Sequence, residues 1–129
     1  MWRRTGTKEE LEKPASVDAK TGIALLHQQI EEAKRLLDNR PIKSAEYLAW
    51  NNATREDLTR IYGSNSPNIE TIISAPGNTP VWMGMSDAVL ERYEASSIEN
   101  KITMLEACIL WLKLEITDAN IEKSDDQRY

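Results

Sequence analysis

Apolar residues recur along this chain at steps of three and four. They fall at Ile23, Leu26, Ile30, Ala33 and Leu37, and later at Ile98, Ile102, Leu105, Ile109, Leu112 and Ile116. Such steps hold every member of a series on one side of a helix. The first series predicts a helix over residues 22–39, with Thr21 as its N-cap and Leu25 and Leu36 widening its apolar face. Arg40-Pro41 ends it, because a residue before proline disfavours the helical region. Ser44 caps a second helix. Its stripe is Tyr47, Trp50, Thr54, Leu58 and Ile61, and Gly63 terminates it as a left-handed residue. Ser66 followed by Pro67 opens a third helix carrying Ile69, Ile72 and Ile73. That helix is short, since Ala75, Pro76, Gly77 and Asn78 stop it. Ser86 caps a last helical region, with Asp87 in its first turn. Val89, Leu90 and Tyr93 begin its stripe. The phase then slips by about one residue around Ala95, Ser96 and Ser97, which one continuous helix with a local bend accommodates.

No segment alternates with period two, so no sheet is expected. The pattern predicts an all-α fold, a compact bundle of four to five helices with one long apolar loop. Residues 1–20 read as a flexible N-terminal arm, 21–118 as the helical bundle, and 119–129 as a frayed acidic tail. The loop, residues 75–85, holds two prolines and two glycines, which exclude a regular helix. It also holds Val81, Trp82, Met83 and Met85, too apolar for a solvated linker. It either folds back on the bundle or meets a partner.

At 129 residues the chain is most simply one domain. It is long enough to bury a sizeable core without staples. Its net charge of -5 argues against general nucleic-acid binding, which leans on a dense basic surface. The single cysteine, Cys108, allows no intramolecular disulfide. No secretory signal follows Met1, and no apolar run approaches the length that crosses a bilayer. These features point to a cytoplasmic protein.

Catalytic chemistry has little to stand on. His27 is the only histidine, so zinc sites built on several His or Cys are excluded, and so are His-dependent triads unless His27 serves. Its place between Leu26 and Ile30 reads as a boundary position. Cys108 precedes Ile109 on the longest stripe and reads as a small buried or flanking hydrophobe. There is no phosphate-binding glycine loop, and the adjacent acids Glu31-Glu32 and Asp125-Asp126 read as solvated charge. The expectation is no enzyme, no cofactor and no metal.

Three features suit binding. Trp82, Met83 and Met85 form an adaptable apolar surface, unless they are a lid on the bundle. The polar face of the second helix offers Asn51, Arg55 and Arg60, with Arg92 and Lys101 near, to hold a phosphate or carboxylate through planar guanidinium forks. Its alternative is a solvated face in ion pairs with Glu56, Asp57 and Glu91. The long stripe from Ile98, with Trp111 at its edge, packs either within the chain or between chains.

Several of these residues together resemble a known family. They are the helix-loop-helix of residues 23–62; Tyr47, Leu48, Ala49 and Trp50; Leu58 to Ser66; Tyr93; and Lys101 to Ile109. The run is similar to the amino-terminal helical region ahead of the TIR-like domain in bacterial predicted nucleotide-binding proteins associated with antiphage defence. The resemblance covers about residues 22–116, mostly capping and core positions. No TIR-like domain or its catalytic glutamate lies within this sequence, so no NAD-cleaving activity carries over. What the resemblance implies is a helical accessory module, linked to antiphage defence or counter-defence. The function expected is a non-catalytic protein-interaction or oligomerisation module, with a protein partner or a second copy of itself. The alternative is a protein that sequesters a nucleotide-derived signal, with Arg55, Arg60 and Arg92 on phosphate and Trp82 or Tyr93 stacking on a base.

Overall fold

The computed structural model of the chain describes residues 14–77 and 84–127, with side chains as far as Asp118. Four helices and no strand are found among them: α1 Ala19–Asp38, α2 Ser44–Tyr62, α3 Pro67–Ile73 and α4 Asp87–Gln127. The fold is all-α, as the periodicity predicts. α4 packs along α1, α1 along α2, and the short α3 bridges α2 and α4. Among the described residues no helix is long and apolar enough to cross a membrane.

The helix ends follow local chemistry. α1 begins three residues before the expected start, because the Asp18 carboxylate accepts the Thr21 amide at 2.8 Å and takes the capping role assigned to Thr21. The chain just before it docks on the body: the Ser16 and Val17 amides both donate to the Arg60 carbonyl. Lys43, with no side-chain capping bond, stands at the N-cap of α2, and Ser44 is already helical. Gly63 ends α2 at a φ of 84°, in the region that favours glycine. Ser66 caps α3 with Pro67 in its first turn. The Ser86 hydroxyl accepts the Val89 amide at the start of α4. α4 then runs 41 residues, roughly 60 Å at 1.5 Å per residue. It continues through residues 119–127, where fraying was expected.

The core is apolar and continuous. Leu26, Leu58, Ile98 and Leu105 are fully buried, with Ile30, Leu36, Trp50, Ile109 and Leu112 around them. Each such side chain contributes about 1.5–3 kcal/mol by leaving water. On α1 the buried line is Gly22, Leu26, Ile30, Ala33 and Leu36, with Ile23 and Leu37 at its margin.

The phase slip in α4 has a specific origin. Glu94, Ser97, Lys101, Leu105, Cys108 and Leu112 are all buried and follow one another at steps of three and four. The inner stripe is unbroken, but three of its members are polar. A count of apolar residues alone sees a gap there. Lys101 Nζ donates to Tyr47 Oη and to Asn51 Oδ1, each at 2.9 Å, and lies 5.0 Å from the Tyr47 ring centroid. Ser97 Oγ donates to the Ala75 carbonyl at 2.8 Å. With its hydrogen committed there, it accepts from Tyr47 Oη at 3.3 Å. The chain of donors runs from Lys101 through Tyr47 and Ser97 to the backbone, tying α2, α4 and residue 75 together.

That tie folds the start of the 75–85 connection back on α4. Asn100 Nδ2 donates to the Pro76 carbonyl. Gly77 then lies so close that a Cβ there would stand 2.2 Å from the Tyr93 carbonyl oxygen. At the same end, Arg40 grips Glu91 with two bonds, and the Ile42 amide donates to the same carboxylate.

Candidate functional site

The inner stripe uses only one side of α4. Ala107, Leu110, Trp111 and Leu114 recur on the other side, again at steps of three, one and three, and all four are exposed. Leu110 is 62%, Trp111 69% and Leu114 52% exposed. Single apolar residues on a surface need no explanation, but three contiguous large ones form a patch of the kind that marks a contact surface.

A groove runs along each flank of this ridge. Toward α1 it has a volume of about 530 Å³, with His27, Ile30 and Lys34 on one wall and Glu106, Leu110 and Lys113 on the other. Toward α3 it has a volume of about 430 Å³, with Tyr62 and Ile72 facing Met104, Cys108, Trp111 and Glu115. Burial pushes the Cys108 thiol up, away from the reactive thiolate. Burial, reinforced by its hydrogen bond with Cys108, raises the Tyr62 hydroxyl well above its ordinary value. The floor of that groove is therefore neutral, and it holds no activated nucleophile. Such a floor suits the apolar side chains of a partner.

Of the partner-binding candidates, Trp111 is on this ridge. Ile98 is not: it is 0% exposed, packed in the core by the inner stripe, and is removed from the candidate surface. Trp82 and Met83 lie outside the described residues. Met85 is half-buried just ahead of α4.

The ligand-binding candidates are not gathered in one place. Asn51 serves the Lys101 ammonium inside the bundle. Arg55 pairs with Glu70 of α3, not with Glu56, Asp57 or Glu91. The Arg55 guanidinium holds the Glu70 carboxyl below the usual carboxylate range. Arg60 is exposed in the last turn of α2. Arg92 lines a separate groove with Pro41, Asp87, Ala88 and Glu91. Tyr93 is half-buried, with Gly77 against its carbonyl and ring. Glu91, expected as a partner for the α2 arginines, is held by Arg40 instead. His27 is exposed at the rim of the α1 groove. Among the described residues no group of three or more His, Cys, Asp or Glu side chains is placed to hold a metal ion.

Leu110, Leu114 and Ala107 escaped the sequence reading. Their signal was present as a second series on the same helix, each member two residues away from a member of the stronger one and so turned to the opposite side. Two parallel series on one helix mean that both sides are apolar, and among the described residues only one of them has neighbours to pack on.

No family model, no curated protein and no solved structure matches this chain. The likeness to the helical region of TIR-like proteins rests on its own residues alone.

Proposed function

We propose that this chain is a non-catalytic protein-interaction or self-association module that works through the outer face of α4. The observation carrying this reading is the contiguous exposure of Leu110, Trp111 and Leu114 between two grooves. Contact residues of this type, Trp above all, dominate binding energy where they are desolvated. The scattered α2 arginines give no comparable support to a nucleotide-binding reading. The resemblance supplies the setting we propose: a cytoplasmic accessory module in antiphage defence or counter-defence.

Native mass spectrometry of the protein, purified gently from its own cells, tests the reading beside the variant L110S/W111A/L114S. The wild type should carry a protein partner or form a homo-oligomer, and the variant should lose it while keeping its helical circular dichroism. A wild type that stays strictly monomeric and unaccompanied overturns the reading, as does a variant that retains its partner.

A further inference from the structure

Building on that reading, we propose that the occupant of the outer face is the same face of a second copy. The two α4 helices then pack antiparallel about a two-fold axis near Leu110. Glu106 and Lys113 are exposed, seven residues apart, and line the same groove together with Leu110, so they share one flank of the ridge. Neither has an ion-pair partner among the described residues of its own chain. Lys113 is the only exposed basic residue of α4 among residues 99–118, where Glu99, Glu106, Glu115 and Asp118 are the exposed acids.

In an antiparallel pair of helices each flank faces the same flank of the partner. A two-fold axis midway between residues 106 and 113 sets Glu106 beside the partner's Lys113, and Lys113 beside the partner's Glu106. On the other flank Glu115 lines its groove with Met104. The midpoint of residues 104 and 115 is the midpoint of residues 106 and 113. One axis therefore satisfies both flanks: each Glu106 meets a Lys113 and each Glu115 meets an uncharged Met104. Along the ridge Leu110 lies next to its own copy, and the small Ala107 leaves room for the partner's Trp111 and Leu114. The surface is complementary to itself, which is what a two-fold contact requires.

The ridge lies across α4 from the buried stripe of Ile98, Leu105, Ile109 and Leu112. A second helix therefore approaches it without displacing α1, α2 or α3. One such helix pair is smaller than the interfaces of permanent dimers. A reversible association follows, with Kd on the order of 10–100 μM.

Sedimentation equilibrium of the full chain in 0.15 M salt decides the matter, with E106K, K113E, the double swap E106K/K113E and W111A alongside. Each single reversal turns two attractive contacts per dimer into two repulsive ones, and should weaken association about tenfold. The double swap should recover to within about threefold of wild type. W111A should weaken it more than about thirtyfold. All these positions are exposed, so circular dichroism should show each variant folded. A wild type that stays monomeric at every concentration overturns the proposal, and so does a double swap that associates no better than its parents. If the wild type is monomeric yet loses a different protein partner in the ridge variant, the second copy is excluded while the interaction-module reading stands. If the ridge variant loses nothing at all, both fall.

Discussion

The two sides of α4 are built from similar residues and end in opposite situations. On the inner side Leu105 and Leu112 are 0% and 2% exposed; on the outer side Leu110 and Leu114 are 62% and 52% exposed. Hydrophobicity alone does not separate them. What separates them is what the rest of the chain supplies. The inner side has α1 and α3 to pack on, together with hydrogen-bond partners from α2 for its polar members. No described element of the chain covers the outer side. An apolar residue contributes to folding only where a neighbour excludes water from it. The same leucine therefore belongs to stability on one side and to association on the other.

Leu105→Ala should cost about 3 kcal/mol of stability, from lost transfer energy plus the cavity left behind. Leu110→Ala should change monomer stability by no more than about 0.5 kcal/mol, while weakening association. Urea unfolding of both variants at a concentration where the chain is monomeric checks this. Equal losses would mean that the outer side packs within the chain.

The polar members of the inner stripe hold less of the stability than its leucines. Lys101→Met keeps most of the side-chain volume but removes the donor from Asn51 Oδ1 and from Tyr47 Oη. Tyr47 retains its bond to Ser97, so the chief loss is an unpaired Asn51 oxygen, about 1–2 kcal/mol. Adding Asn51→Leu should return part of that loss, because removing both partners of a buried polar contact costs less than removing one. Chemical denaturation of the single and double variants checks it, and strictly additive losses would show that the pair is not coupled.

These residues also show what was legible in the sequence. The all-α class, the short α3, its Ser66-Pro67 start and the Gly63 stop were all readable, since each rests on local backbone chemistry. The places of Cys108 and His27 relative to the stripe left each with two readings, buried or flanking and exposed or boundary, and packing decided them as buried and exposed. Lys101 was not readable as core. A lysine on an apolar stripe is buried only if other helices bring it acceptors, and Tyr47 and Asn51 lie 54 and 50 positions away. Asn51 was misplaced for the same reason: its partner faces inward, toward α4. Ile98 was misplaced because periodicity finds an apolar side but not what covers it. Leu110 and Leu114 were passed over because the stronger series on α4 accounted for the helix by itself.

The smallest effect concerns Glu94, the acidic member of the inner stripe. Burial pushes its carboxyl up, and the neighbouring Glu91 charge adds to the rise, against a bond from Ser44 that lowers it. A raised folded value means that the folded state holds the proton more tightly than the unfolded chain. Its contribution to stability is therefore full below the unfolded carboxylate range and is lost as pH rises through the folded value. Glu91 has the opposite sign: the bonds from Arg40 lower it, so its contribution is present at neutral pH and is lost as pH falls through its folded value. Glu94→Gln keeps the shape and removes the buried charge. It should melt a few degrees above wild type at pH 7, with the gap closing near pH 4, where wild-type Glu94 is itself protonated. Thermal unfolding at both pH values measures it, and a gap that stays constant with pH would show that Glu94 is hydrated and no part of the buried stripe.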